Sequence, residues 1–394
     1  MSNIEHSKRK LFLCCCYGFA INGMAVLVIG SILPGIMTEA GLSFAVAGGM
    51  LSLMAIGNFL ASFLFPAAVS LFGRRLSITS ITAVIPAAYL WLTFLPPVSV
   101  LYILMFLCGI ARGSITIINN SSVNDLSDNP AKMQNYLHCS FAVGAFLAPF
   151  TTAVFLGLGF GWRAVIYILV FLCASSTLFY GITDYSCLTA ERGSLPKNRA
   201  QDKTKQSSEP TFLKAFPFYC ICLLLFFYVG FESCVNGWFV TYLQSTGTLT
   251  TSFSSTLVSI TWVMIMAGRL ACASLSDRIP KRRLIFLICT GSALFFFLLI
   301  ASDSLIMITA ALIGLGFCMA GIYPLCVAEA GAYIKSSTLG MSILTAISSL
   351  GAIVSPQLVG SIADYIGIVA AVGTLSVNAI LMILLALLIR KKDK

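Results

Sequence analysis

The chain has 394 residues, of which 58% are hydrophobic and 10% are charged. A soluble domain carries about a quarter charged residues, so this chain lacks the polar surface of a water-soluble globular protein. The formal net charge of +10 does not indicate nucleic acid as a partner, because the basic residues recur in short segments between apolar runs. The composition predicts an all-α membrane protein whose surroundings are a lipid bilayer.

Cysteine and histidine usage predicts neither a metal site nor a bound cofactor. Most of the 14 cysteines lie singly along apolar runs, and the chain has two histidines. No cysteine has the spacing to histidine that zinc ligands need. Packing inside a membrane is the simpler interpretation of these cysteines.

Twelve apolar runs are long enough to cross the hydrocarbon core of a bilayer. The first follows the basic segment 8–10, has about 23 residues and continues to Pro34. It exceeds the apolar core of a cleavable signal peptide, so we interpret it as span 1. Spans 2 to 12 are predicted at about 46–71, 76–95, 100–122, 135–158, 162–183, 215–243, 252–276, 284–301, 305–329, 338–362 and 368–390.

A polar segment divides these runs into two sets of six. Residues 185–213 are rich in charged and polar side chains, which is typical of a linker. The sequence therefore predicts an N-terminal six-helix bundle at 1–184, a linker at 185–213 and a C-terminal six-helix bundle at 214–394.

The distribution of basic residues predicts the orientation in the membrane. Of the 24 lysines and arginines, Arg163 falls in an external loop and Arg112 and Arg269 fall within spans, so the other 21 face the cytoplasm. We expect a multi-pass protein of the cell (inner) membrane with both termini and the linker in the cytoplasm. A reporter fused after residue 205 and active only outside the cell would contradict this orientation.

Several residues recur at an offset of 207 positions. Gly23 corresponds to Gly230 and Gly109 to Gly316, and the segment 144–149 (GAFLAP) corresponds to 351–356 (GAIVSP). A repeated offset of this kind indicates an internal duplication. The chain is predicted to contain two copies of one membrane unit.

The loops after spans 2 and 8 carry a family resemblance. The second, Leu275-Ser276-Asp277-Arg278-Ile279-Pro280-Lys281-Arg282, resembles the major facilitator superfamily signature G-x-L-x-D-R-x-G-R-[KR]-[KR], with proline where glycine is usual. The first copy has Ser70 where the acid is expected. The resemblance implies twelve helices in two pseudo-symmetric six-helix bundles, which is the major facilitator fold. It also implies a cytoplasmic gating loop formed by Gly73, Arg74, Arg75, Asp277, Arg278, Lys281 and Arg282.

Ionisable residues within spans are candidate functional groups. A charge at the centre of a span costs roughly 2.5–3.5 kcal/mol on insertion, so each requires a partner or a role. Arg112 lies near the middle of span 4 and Glu232 near the middle of span 7. The resemblance implies that spans 1, 4, 7 and 10 line the central cavity, so we expect both residues to face it. The alternative is an ion pair that holds the two halves together. Arg269, nearer the cytoplasmic end of span 8, is expected to snorkel or to brace the Asp277 loop.

Polar and aromatic residues at similar depths complete the predicted binding site. Asparagine and glutamine carry both donors and acceptors, which suit sugar hydroxyls, and tryptophan offers an apolar face to a sugar ring. The alternatives are ordinary hydrogen bonds between helices and, for Trp238, an external aromatic belt. The predicted substrate-binding residues are Asn22, Arg112, Asn119, Asn120, His138, Glu232, Asn236, Trp238, Tyr323 and Gln357, with Trp262 at a similar depth.

Two further motifs resemble the fucose/galactose/glucose:proton symporter branch of this superfamily. Residues 228–243 (YVGFESCVNGWFVTYL) resemble its helix 7 pattern Y-V-G-x-E…W-x-x-x-Y-L, and 137–145 (LHCSFAVGA) resemble its L-H-x-x-F-G-x-G-A on helix 5. The resemblance implies a secondary transporter of a sugar or related small polar solute, expected as a monomer. Glu232 and His138 can take up protons, so they are the predicted proton-coupling residues.

Other functions stay open at this point. Proton-driven efflux of drugs or metabolites is one alternative, although the antiporter pattern G-P-x-x-G-G is absent from span 5. Uptake of an organic anion is another, because Arg112 stands where the symporter branch more often has a neutral residue. An enzyme or a receptor would need a clustered catalytic set or a large extramembrane domain, and the sequence has neither.

Overall fold

The structure, a computed structural model, describes residues 2–126, 130–185, 188, 215–247, 249–276, 278–334 and 337–390. Within these ranges the secondary structure is helical, and twelve helices are long and apolar enough to cross a membrane. We number these helices as spans 1 to 12 in chain order. The predicted all-α architecture with twelve spans is confirmed.

The bounds of the spans follow from the helical segments. In the N-terminal half, spans 1 to 6 are Ser2–Ala40, Phe44–Phe72, Arg74–Leu92, Val98–Leu126, Pro130–Gly157 and Trp162–Ile182. In the C-terminal half, spans 7 to 9 are Phe216–Ser245, Thr251–Ser276 and Lys281–Ile300, and span 11 is Thr338–Ile366. Span 10 consists of Leu305–Met319 and Ile322–Ile334, and span 12 of Ile368–Gly373 and Ser376–Arg390.

Span 1 and span 10 differ from the prediction for reasons of backbone chemistry. Span 1 runs past Pro34 to Ala40, since packed neighbouring helices allow proline within a membrane span. Span 10 is interrupted at residues 320–321. Pro324 has no N–H to donate to the carbonyl of Ala320, so one helical hydrogen bond is missing at this interruption.

Close helix crossings repeat at the predicted offset. A methyl group at Gly144 would overlap the carbonyl of Ala20 on span 1, and one at Gly351 would overlap the backbone of span 7 at residues 226–230. In the same way Gly109 packs on the carbonyl of Met54, and Gly316 on the carbonyl of Thr261. Gly316 lies 207 positions after Gly109, and Thr261 lies 207 positions after Met54. The duplication is therefore visible as equivalent helix crossings within each bundle.

The two halves pack together on one side of the protein. We call the side where span 1 begins and span 12 ends the terminal side, and the opposite side the far side. Near the far side, Ser52 of span 2 donates a hydrogen bond of 2.6 Å to the carbonyl of Ile353 on span 11. Ser252 of span 8 donates one of 2.7 Å to the carbonyl of Ala153 on span 5. Gly30 of span 1 rests on the backbone of Asn236 on span 7. The far side is therefore closed.

Toward the terminal side, polar residues that face the interface between the halves are exposed. His138 of span 5 and Arg269 of span 8, which interact electrostatically, are exposed, and Tyr323 of span 10 is 37% exposed. Among the described cysteines, Cys139 is the exposed one. The arrangement is a cavity that is closed at the far side and open at the terminal side.

The predicted domain boundaries at 184 and 213 border a segment that lies almost entirely outside the described residues. Apart from residues 185 and 188, the predicted linker at 185–213 lies outside the described residues, as does Asp277. The division at 184 and 213 therefore remains a prediction.

Candidate functional site

A cavity lies between the two halves at the middle of the bundle. Its volume is about 220 Å³, and spans 1, 2, 4, 7 and 11 form its wall. The polar lining residues are Asn58, Arg112, Ser233 and Asn236. The apolar lining comes from Val26, Gly30, Leu51, Met54, Ala55, Gly237, Ala352 and Pro356. The cavity is smaller than a typical drug-binding pocket of about 300–1,000 Å³, so its dimensions suit a small metabolite.

Arg112 is the single ionisable residue among those that line this cavity in the described part of the chain. Its Nε atom is buried and has no hydrogen-bond partner. Its electrostatic neighbours are Tyr89 and Cys108, both uncharged in their ordinary forms. The alternative of an ion pair between Arg112 and Glu232 is not found, because the cation that acts on Glu232 is Arg269.

Three predicted asparagines lie close to Arg112 along the chain or in space, with different surroundings. Asn22 donates a hydrogen bond of 3.2 Å to Thr116 Oγ1, and its Oδ1 atom is buried without a partner. Asn120 likewise has a buried Oδ1 without a partner. Asn119 accepts a 2.9 Å bond from the Tyr180 hydroxyl inside the N-terminal bundle. The structure therefore places Asn119 against span 6, away from the cavity.

Two other predicted binding residues belong to the closed interface. Trp238 is fully buried and donates to the carbonyl of Pro356 at 3.1 Å. Gln357 donates to the carbonyl of Ala45 at 3.2 Å. Neither side chain lines the cavity, and burial also removes Trp238 from an external aromatic belt. Trp262 is buried in the same way.

Glu232 lies next to the interruption of span 10. The hydroxyl of Tyr228 is 3.1 Å from Glu232 Oε1 and 3.1 Å from the carbonyl oxygen of Met319. A hydroxyl carries one proton, so Tyr228 can donate to one of these acceptors at a time. Met319 is the last residue before the break, where carbonyls lose their partners within the helix. The state of the carboxyl therefore decides whether this carbonyl has a donor.

Arg269 is the cation that faces Glu232. Its charge acts on Glu232 of span 7 and also on His138 of span 5. Tyr323 lies within electrostatic range of Glu232. The bracing of the Asp277 loop by Arg269 stays a prediction, because Asp277 lies outside the described residues. Arg269 also belongs to a group of ionisable side chains that come from both halves.

The loops between paired spans are braced by acids that the sequence analysis missed. Arg74 lies 3.6 Å from Asp125 of span 4, and Arg282 lies 2.7 Å from Glu329 of span 10. Ser70 donates to the carbonyl of Ala67 in its own helix. Each half thus has an arginine at the start of its third helix that pairs with an acid on its fourth.

The remaining loop residues have simple surroundings. Gly73 has a φ of +79°, a backbone conformation that glycine adopts without strain. Arg75 donates at 2.5 Å to the carbonyl of Gly181 at the end of span 6. Arg278 and Lys281 are exposed.

Asp364 at the end of span 11 caps the start of span 2. Its two oxygens accept from the backbone N–H groups of Phe44 at 2.7 Å and Ala45 at 3.1 Å. The first N–H groups of a helix lack partners within it and carry partial positive charge, so a carboxylate binds there favourably. This contact, which the sequence analysis did not predict, joins the halves at the far side.

Comparison with known families agrees with this architecture. The family model of the Major Facilitator Superfamily matches residues 15–302 and, in an overlapping second match, residues 221–394. The chain belongs to the Major Facilitator Superfamily. No protein with a curated description matches the sequence.

Solved structures of other superfamily members share the fold at low sequence identity. A mutant of the nucleoside transporter NupG has a TM-score of 0.75 and 14% identity, over 98% of this chain and 100% of that chain. A bacterial homologue of the human lysosomal transporter Spinster, inward-facing and occupied, has a TM-score of 0.74 and 14% identity, over 97% and 96%. The D-xylose-proton symporter gives 0.74 and 14%, over 96% of each chain. Such likeness establishes the fold, and the protein is a transporter of this superfamily with twelve membrane helices.

Proposed function

We propose that this protein is a secondary transporter that moves a small polar solute together with protons by alternating access between its two halves. The single observation that carries the proposal is the cluster of Glu232, Tyr228 and Arg269 beside the break in span 10. It combines a carboxyl that can exchange a proton with a backbone interruption that can change shape. The sugar class follows from the sequence motifs of the symporter branch, although Trp238 and Gln357 no longer support it.

In the proposed cycle, the described state is the one whose cavity is open to the cytoplasm. If both termini are cytoplasmic in the cell membrane, as the basic residues predict, the terminal side is the inside and the cavity is open inward. When Glu232 is protonated, it can donate to Tyr228 while that hydroxyl donates to the Met319 carbonyl. Loss of the proton redirects the Tyr228 hydroxyl to the carboxylate and leaves the Met319 carbonyl without its donor. Release of the proton would therefore loosen the break in span 10.

The test uses the variant Glu232→Gln, which resembles the protonated carboxyl but cannot release a proton. A thermal-shift screen of sugars, sugar acids and organic anions first provides a ligand, which is then followed in proteoliposomes. We expect Glu232→Gln to keep exchange of that ligand and to lose accumulation driven by a pH gradient.

The matched control is Asp303→Asn, which removes a carboxylate from the exposed loop between spans 9 and 10 and should leave accumulation intact. If Glu232→Gln still accumulates ligand against its gradient, Glu232 is not the coupling group. His138, which is exposed and faces Arg269, is then the next candidate.

A further inference from the structure

Arg112 is a buried cation that has no acidic side chain beside it among the described residues. In the described part of the chain no acidic side chain lines the cavity beside it, its Nε atom is buried without a partner, and its electrostatic neighbours are a tyrosine and a cysteine. A guanidinium at mid-span with no counter-charge destabilises the protein unless a partner is supplied. The structure thus shows a site with a missing partner.

The surroundings of Arg112 specify what that partner is. Guanidinium is donor-only and presents two parallel N–H groups that match a carboxylate or a phosphate. Asn58 and Asn236 add amide donors from spans 2 and 7, and Ser233 adds a hydroxyl. Donors from both halves therefore surround one guanidinium, while Val26, Leu51 and Met54 offer apolar contact to a short carbon skeleton.

We propose that Arg112, Asn58 and Asn236 form the site for a small organic anion that carries one carboxylate or phosphate group. This inference rests on the proposed transport function and narrows its substrate from small polar solutes to acids. Arg112 binds the anionic group by a bidentate contact, and Asn58 and Asn236 bind the same group or an adjacent hydroxyl. Because the donors come from both halves, the ligand bridges them at the cavity.

The experiment compares acids with neutral analogues of the same skeleton on the purified full chain. The pairs are D-glucuronate with D-glucose, D-gluconate with D-sorbitol, L-lactate with 1,2-propanediol, and glycerol 3-phosphate with glycerol. We expect at least one acid to bind by calorimetry while its neutral partner does not. The last pair separates phosphate recognition from carboxylate recognition.

Substitution of Arg112 then tests the assigned contact. Arg112→Gln should weaken binding of that acid by about 10- to 100-fold, the range for lost hydrogen bonds to a charged group. Arg112→Lys keeps the charge but loses the planar fork, so an intermediate loss is expected. The matched control Arg283→Gln removes an exposed arginine at the start of span 9 and should leave the affinity unchanged.

A second measurement does not depend on finding the ligand. Without ligand, Arg112→Gln should melt higher than the wild-type protein, by about 2 °C, since it removes an unpaired buried charge. A lower melting temperature would identify Arg112 as a structural partner and overturn the inference.

The outcomes also separate this inference from the proposed function. Accumulation of a neutral solute by wild type and Arg112→Gln alike would overturn the anion site and leave proton-coupled transport standing. Arg112-dependent binding of an acid without accumulation in proteoliposomes would support the site and refute the transport proposal.

Discussion

Tyr228 connects a titratable side chain to the backbone of another helix. Its hydroxyl lies at 3.1 Å from both Glu232 Oε1 and the Met319 carbonyl oxygen, and its one proton cannot satisfy both acceptors when the carboxyl is ionised. Tyr228 is itself almost fully buried, so water does not readily replace it as a donor to Met319. A single proton on Glu232 therefore determines whether the Met319 carbonyl, at the end of the first helix of span 10, receives a hydrogen bond from Tyr228.

Removal of the Tyr228 hydroxyl should therefore uncouple the carboxyl from span 10. We expect Tyr228→Phe to reduce pH-driven accumulation about tenfold or more in proteoliposomes while ligand exchange continues. The double variant Tyr228→Phe/Glu232→Gln should be no worse than Glu232→Gln alone, since residues that act as one unit are not additive. Additive losses in this double-mutant cycle would show that the two residues act separately.

The sequence identified some of these residues and could not orient others. The cost of a charge within a span singled out Arg112 and Glu232 without any structure. Helical periodicity also places Asn236 and Trp238, two residues apart, on different faces of span 7, so the two could not both line one cavity. The partnership of Arg269 with Glu232 depends on how span 8 is rotated against span 7, which no local pattern specifies.

At the scale of helices, the far side is closed by unequal contacts at two equivalent interfaces. Asp364 caps span 2 with a carboxylate. By the offset of 207 its counterpart is Gly157, next to the start of span 8. There a neutral hydrogen bond from Ser252 to Ala153 takes its place. The charged contact between spans 2 and 11 is therefore the stronger of the two closures.

Loss of the Asp364 carboxylate should favour the state that is open at the far side. A helix cap of this kind contributes about 1 kcal/mol, or about fivefold in a two-state population. We expect Asp364→Ala to increase the long-distance population between spin labels on the far-side ends of spans 2 and 11. Asp303→Asn, which removes a far-side carboxylate that does not cap a helix in the described structure, should leave the distances unchanged. A shift of the same size in both variants would assign the effect to surface charge.

The element boundaries were more predictable than the contacts between elements. Apolar runs and turn residues gave all twelve spans, and the break in span 10 was missed even though Pro324 indicates it. The braces Arg74–Asp125 and Arg282–Glu329 were missed because the acid was expected in the loop, at the position of Ser70. In the folded protein these acids come from spans that are distant in sequence.

At the scale of the whole molecule, duplication and asymmetry occur together. The glycine crossings at equivalent positions hold each half together as a packed bundle, whereas the interface between the halves is closed at one end. The duplication was predictable, since it appears as a constant offset in the sequence. The access state was not, because one sequence must support both states and the difference between them is small.

The exposed position of Cys139 turns the native chain into its own accessibility reporter. Among the described cysteines the others are buried or half-buried, so a bulky thiol reagent should modify Cys139 first once Cys187, outside the described residues, is replaced by serine. A membrane-impermeant maleimide should label it rapidly in inside-out vesicles and slowly in intact cells. The opposite preference would place the termini outside the cell. A ligand that closes the terminal side should slow the labelling, so thiol chemistry alone could follow the transport cycle.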